Sequence, residues 1–480
     1  MEMDSVDAST AVTKEWAMPH LSAEDHAARG KAERAEIPRT THATWGTPPH
    51  RPDPIALLEE QAKTRVPELV PIRYGRMLAS PLAFYRGAAC VMASDLAATT
   101  RSRLRVQLCG DAHLSNFGVF GSPERRMMFD INDFDETLPG PWDWDVKRLA
   151  VSMELAGRDN GFSRSARSEI VLATVREYRE AMRSFAALRD LDVWYASLDI
   201  ERIIDRFRSR VGRERLHVTE RNVAKARARD SMQAYEKLTR EVDGRRRIIS
   251  DPPLIVRMDE LVEGVAREQL EQQVREILRG YRCTLQSDRR HLLERYSFAD
   301  MAHKVVGIGS VGLRAWIILL LGRDDQDPLL LQAKEAQASV LERFLGRSEH
   351  RNSGERVVAG QRLMQAASDI FLGWQRVKGV DGIERDFYVR QLRDWKLSAD
   401  IGSLDRVALA TYGSLCGWTL ARAHARSGDR IAIAAYLGKA DTFDEAIAAF
   451  AIAYADQTER DHRALADAVK NGRIQAETGL

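Results

Sequence analysis

The spacing of apolar residues changes along this chain, and that change constrains the fold more than any other feature. From about 145 to 300 apolar side chains recur with the 3.6-residue period of an amphipathic helix, as in VKRLAVSMELAGR and RSEIVLATVREYREAM. From 301 the pattern becomes β-branched and apolar runs set between glycines and the turn-forming DDQDP, in KVVGIGSVGLRAWIILLLGRDDQDPLLLQAKEA. Helical spacing returns in ASVLERFLG and VVAGQRLMQAASDIFLGW, and DFYVRQLRDWK then alternates as a strand does. The remainder is helical to the end, its last helix opening at Asp441 or Thr442 as N-cap. Strands segregated from helices predict an α+β protein in which a small antiparallel sheet over 301–400 meets a larger, mainly helical lobe built from 53–300 and 401–480.

Ahead of that body, residues 1–52 lack apolar periodicity, and TWGTPPHRPDP holds four prolines, so this stretch reads as a mobile arm. A helix is expected up to Val66, stopped by Pro67. Two short apolar runs, 104–109 and 126–131, read as strands bracketing a polar loop.

Several function classes are set aside by composition. No apolar stretch approaches the roughly 20 residues that cross a bilayer. Lys and Arg number 72 against 70 Asp and Glu, a net charge of +2, which supplies no field for nucleic acid or an anionic membrane. The basic run Arg245-Arg246-Arg247 reads as a solvated turn. The four cysteines, Cys90, Cys109, Cys283 and Cys416, lie far apart without CxxC spacing, against a disulfide framework or a thiolate zinc site. With no basic and apolar leader in MEMDSVDASTAVTKEW, a cytoplasmic location is expected.

Polar chemistry concentrates in two places. The loop Gly110-Asp111-Ala-His113-Leu-Ser-Asn116 puts an acid, an imidazole and an amide within seven residues, and Phe129-Asp130-Ile-Asn132-Asp133-Phe134-Asp135-Glu136 follows the second strand. Oxygen ligands of this kind suit a hard cation, and Mg²⁺ commonly takes one or two carboxylates plus substrate phosphates. Far downstream, Gly307-Ile-Gly309-Ser310-Val-Gly312 matches GxGxxG. A dinucleotide site would place an acid at the end of the next strand, whereas Asp327 precedes the run PLLLQ. Strand, glycine turn, strand, turn and a third strand ending on Lys334 instead follow the order of a nucleotide-binding glycine loop with its phosphate lysine.

These residues resemble a known group. Asp111 and Asn116 have the spacing of the catalytic Asp and metal-binding Asn of protein kinases, GDAHLSN is similar to the HGDxHxxN loop of aminoglycoside phosphotransferases and choline kinases, and INDFDE is similar to their metal-binding segment. The resemblance implies Asp111 as the proton acceptor, with His113 beside it. It implies Asn116 and Asp133 as magnesium ligands, with Asp130 or Asp135 as a further candidate. Asp145, in PWDWDVKRL, would brace the loop, and Cys109 stands where the motif has its first His. Gly307, Gly309, Ser310, Gly312 and Lys334 would hold ATP, with Glu342, or Glu335, as the carboxylate partner of Lys334. Leu420-Ala-Arg422-Ala-His424 resembles the helix that precedes the catalytic loop, yet nothing catalytic follows it here. Read from 301 to 440 and then from 104 to 160, the order is complete, so the chain resembles a circularly permuted, two-lobed protein-kinase-like fold.

From about residue 53 onward the chain also resembles the bacterial domain-of-unknown-function family 2252, through RYGRMLASPLAFYRGAA, LCGDAHLSNFG, FDINDFDETLPGPWDWDVKRLA and LARAHARSGD. The expectation is an ATP- and magnesium-dependent phosphotransferase acting on a hydroxyl of a small molecule. Arg73, Arg76 and Arg86 are candidate substrate contacts. Trp142 and Trp144 are expected in the core. Alternatives are nucleotidyl transfer on the same fold, a non-catalytic nucleotide-binding module, and a metal-dependent hydrolase using Asp111, His113 and Asp130.

Overall fold

The computed structural model describes residues 21–201, 203, 231–242, 244–261, 267–305, 307–379, 381–392 and 395–479. Part of the expected arm folds: residues Ala23–Glu36 form helix α1, followed by a 3₁₀ turn, Arg39–Ala43. Residues 1–20 of the arm lie outside the described residues. The Ser22 hydroxyl accepts from Asp25 N at 3.1 Å while the Asp25 carboxylate accepts from Ser22 N at 3.0 Å, a reciprocal cap at the helix start. The inner face of α1 carries Gly30 and Glu33 rather than leucines, which is why no apolar period announced it.

Helices Trp142–Asp159 (α2), Arg164–Ala186 (α3), Arg406–Ser427 (α7), Arg430–Leu437 (α8) and Thr442–Lys470 (α9) build the large lobe from both halves of the chain. Trp142 lies at its centre, stacked on Tyr178 at 5.8 Å, and Trp144 is buried, as expected. α7 approaches α3 closely because Gly413 and Gly417 face Thr174, where a Cβ would meet the Thr174 hydroxyl at 2.2 Å and its carbonyl at 2.3 Å. Four short strands, Arg105–Leu108 (β1), Phe117–Gly121 (β2), Met127–Ile131 (β3) and Leu138–Pro141 (β4), pair antiparallel as β1 with β4 and β2 with β3. The two expected strands are present, each with a partner that the sequence reading had not assigned.

The stretch read as helical to 300 contains strands as well. Thr239–Val242 (β5) and Arg245–Ile248 (β6) form a hairpin, so the basic run lies in a strand, with Arg247 2.6 Å from Asp259. Between the two smaller helices Ser231–Leu238 (α4) and Arg267–Arg282 (α5) comes Ile255–Arg257 (β7), the first strand of the main sheet. Ser297–Lys304 (β8), Ala315–Leu321 (β9) and Pro328–Ala336 (β10) follow. Helix Ser353–Met364 (α6) and the strands Gly373–Lys378 (β11) and Glu384–Gln391 (β12) complete the sheet region. The sequence reading had put residues 373–374 at the end of a helix. All six strands are antiparallel, in the order β11-β12-β10-β9-β8-β7.

Every residue of β10 is buried, which is why it reads as an unbroken apolar run rather than an alternating one. Leu329, Leu331 and Ala333 pack on one face with Ile318, Phe387 and Tyr281 of α5. Leu330 turns to the opposite face, where Ile317, Leu319 and Ala302 meet Ala234, Tyr235 and Leu238 of α4. Two residues further along that second face stand Gln332 and then Lys334, at the edge where the sheet meets the large lobe. Among the described residues, no helix is long and apolar enough to cross a membrane. The fold is α+β.

Candidate functional site

The loop after β1 is held by its backbone. Asp145, in the first turn of α2, accepts from Cys109 N at 2.7 Å and from Gly110 N at 3.0 Å. His424 of α7 lies 3.2 Å from the same carboxylate through Nε2, and its Nδ1 is 2.9 Å from the Tyr178 hydroxyl. A carboxylate can only accept, so Nε2 carries a proton toward Asp145. Gly110 has φ +84°, and a Cβ there would lie 2.2 Å from Glu136 O; this turn requires glycine. Cys109 is fully buried. Burial, reinforced by Asp145, pushes its thiol well up, so it stays protonated and faces Asp133 O at 3.5 Å. The brace therefore survives the absence of a histidine at 109.

Asp111 points at Arg148 of α2, whose guanidinium lies 2.8 Å from Oδ1. His113 Nε2 is 3.7 Å from the other Asp111 oxygen. Burial, with Arg86 and Arg148 nearby, lowers the His113 imidazole to about 4 despite Asp111, so the ring is neutral at pH 7. Asn116 donates through Nδ2 to Asp111 O at 3.1 Å and Asp133 O at 2.9 Å, joining the two loops. Its Oδ1 is buried and has no hydrogen-bond partner among the described residues.

The distant Lys334 completes the group. Its ammonium lies 3.3 Å from Asp133 Oδ2 and also bonds to Asp135, whose other oxygen accepts from Tyr388 of β12 at 2.9 Å. Although burial opposes it, the Lys334 ammonium and the Arg390 guanidinium hold the Asp133 carboxyl well below the usual carboxylate range. Burial and the neighbouring Asp133 push Asp135 the other way.

Above them the segment Gly307–Gly312 turns between β8 and β9. Arg65 bonds to Val311 O and, at 2.9 Å, to Gly309 O, while Val66 N donates to Gly312 O at 2.8 Å. A cavity of about 230 Å³ under this turn is lined by Asp111, His113, Asn116, Asp133 and Arg86 among others. A second, of about 800 Å³, opens beneath the sheet beside Lys237, Lys304, Gln332, Lys334 and Arg390. The two meet at Asp133, Gly307 and Ser310.

Several expected site residues lie elsewhere. Asp130 is fully buried against Arg422 at 2.5 Å and accepts from Ala366 N at 2.8 Å; it anchors α7 and the end of α6, outside both cavities. Glu342 does not reach Lys334; it accepts from Ser339 N at 3.1 Å and lies 3.8 Å from Arg356, because the helix carrying it is a single turn, Glu342–Leu345. Glu335, the alternative, pairs with Arg314 at 3.2 Å. Arg73 is wholly buried and bonds to Gln61 at 2.6 Å and Gly87 O at 2.7 Å, so it is a structural arginine. Arg76 lines neither cavity. Of the three candidate arginines only Arg86 faces the site.

The sequence reading missed Arg148, His424, Tyr388, Arg390 and Arg65. Arg148 lay inside the quoted PWDWDVKRL segment and His424 inside LARAH, so a local signal existed for those two; the others are brought in by the tertiary fold alone. Asp133 and the unpartnered Asn116 oxygen fit a hard cation such as Mg²⁺. Among the described residues no three His, Cys, Asp or Glu could hold a metal by themselves.

No curated protein and no solved structure matches the chain at the significance required. A family model does match residues 65–468, more than four fifths of the chain. The chain therefore belongs to the family described as "Uncharacterized protein conserved in bacteria (DUF2252)".

Proposed function

We propose that this protein is an ATP-dependent phosphotransferase with a circularly permuted kinase-like arrangement. The observation that carries the reading is the meeting of Lys334 with Asp133 and Asp135 across 201 and 199 residues of chain, beneath a glycine-rich turn and beside Asp111 and Asn116. Supporting it, the elements run from β8 as glycine turn, lysine strand, helix α6, strand pair and helix α7, and resume at β1 with the Asp111 loop and the Asp133 loop. In the larger cavity Lys334 would contact the nucleotide phosphates, with the turn 307–312 covering them.

In the transfer step the acceptor hydroxyl oxygen bonds to the γ-phosphorus as the bond to the β–γ bridging oxygen breaks. ADP leaves with that electron pair, and the hydroxyl proton passes to Asp111. Arg148 fixes the Asp111 carboxylate in orientation, and the Asp145–His424 brace fixes the loop carrying it. A magnesium ion held by Asn116 and Asp133 would neutralise phosphate charge. Such a site acts by positioning and preorganised charge.

One observation favours a second reading, a nucleotide-binding module without transfer: among the described residues no helix carboxylate pairs with Lys334, which is neutralised by both loop acids. Thermal-shift titration of the wild type and Lys334→Ala with ATP, with and without Mg²⁺, tests the nucleotide site. Saturation near 100 times Kd stabilises by roughly 2.7 kcal/mol, so a Tm rise of about two to four degrees is expected in the wild type only. Lack of any nucleotide response would overturn the reading. ATP binding with no phosphorylated product across an acceptor screen would favour the module.

A further inference from the structure

We propose that the smaller cavity binds an oxyanion through Arg86, so that the acceptor is a small hydroxy compound bearing a carboxylate or phosphate close to its reacting hydroxyl. The acceptor role rests on the phosphotransfer reading, whereas the anion site stands on charge and burial.

Among the described residues most acids lining this cavity already have a cation: Asp111 has Arg148, Asp133 and Asp135 share Lys334, and Glu335 has Arg314. Glu136 accepts from Val340 N at 2.7 Å, and burial raises its carboxyl toward the neutral form. Arg86 differs. It lies in the last turn of the short helix Pro81–Gly87, faces the cavity, and among the described residues makes no side-chain hydrogen bond or ion pair there; its buried Nε has no partner among them. An unpaired guanidinium in such a place is costly unless an anion enters to meet it, and its planar fork suits the two oxygens of a carboxylate or phosphate.

Two neighbours on the same wall share this incompleteness. His113, 9% exposed, has a buried Nδ1 with no partner among the described residues. The buried Arg65 spends its two terminal nitrogens on the carbonyls of the glycine turn and, among the described residues, makes no ion pair, so the carboxylate charges that act on it are those of the more distant Glu136 and Asp135. An anion on Arg86 would hold its own hydroxyl near Asp111, since both residues line this one small cavity.

The full-length protein is titrated calorimetrically with glycerate, glycerol 3-phosphate, glycerol and ethanolamine, and the same compounds are offered with ATP and Mg²⁺ while phosphorylated product is followed by mass spectrometry. Glycerate or glycerol 3-phosphate should bind where glycerol and ethanolamine do not, and the preferred one separates carboxylate from phosphate recognition. Arg86→Ala should raise the KM of the anionic acceptor about tenfold or more while KM for ATP stays within about threefold, and Arg86→Lys should recover part of the loss. Glycerol or ethanolamine serving as well as the anions, with a normal nucleotide response, would overturn the anion site alone. Anion binding that Arg86→Ala abolishes, without any nucleotide response, would keep the site and remove its acceptor role. Wild-type discrimination among the four compounds remains decisive if the Arg86 variants fold poorly.

Discussion

Asp130 and Arg422 are each 1% exposed and 2.5 Å apart. Removing one member of such a pair strands a buried charge, so Arg422→Met should cost about 3–5 kcal/mol in denaturant unfolding. Adding Asp130→Asn should recover much of that loss and leave the Mg²⁺-dependent nucleotide shift intact; a double variant that folds but no longer responds would return Asp130 to the metal site. His42 and His113 make a second prediction at this scale. Burial lowers both to about 4 from an ordinary 6.5, with Lys147 adding to the effect at His42. The folded chain thus resists a proton that the unfolded chain accepts. The stability these rings contribute is full above pH 6.5 and declines as pH falls through 6.5 toward 4, by up to about 1.4 kcal/mol per pH unit for each ring. Urea midpoints should drop between pH 6.5 and 5, and His42→Gln should flatten that slope; a slope unchanged by the substitution would remove His42 as its source.

At the scale of elements, helix α1 is attached by contacts that leave almost no room. A Cβ on Gly30 would lie 2.0 Å from Ala432 O of α8, and Glu33 accepts from Arg103 N at 2.6 Å. Gly30→Ala should therefore detach α1 and lower Tm by several degrees, although alanine is the better helix former, and protease should cleave near residue 37 in the variant first. An unchanged Tm would mean that α1 contributes nothing to the fold. The same balance between local preference and contact explains α6. Its spacing is helical in sequence, but Gln365 ends it, with the Gln365 amide donating to Ile131 O at 2.6 Å, and the chain beyond becomes β11.

For the whole molecule, the junction of sheet and large lobe depends on Arg356, buried on α6, which donates to Thr137 O at 2.7 Å and to Asp135 O and Gln337 O at 2.8 Å. Arg356→Met leaves three carbonyls unanswered and should cost on the order of 2–4 kcal/mol. It should also weaken the nucleotide response, because Asp135 and Lys334 belong to different lobes; calorimetry that still shows one unchanged transition would contradict this. The sequence by itself determined the α+β class, the Asp111–Asn116 loop, the Asp133 loop and the likeness of Lys334 to a phosphate lysine. Each of these is written in a local period or a short spacing that needs no knowledge of the rest of the chain. Only the tertiary structure decided that Lys334 meets Asp133 and Asp135 rather than Glu342, that Asp130 belongs to Arg422, and that Arg86 alone of three arginines faces the cavity. Those choices are made by which side chain reaches which across hundreds of residues, and a buried charge is assigned its partner by packing, which leaves no local pattern in sequence.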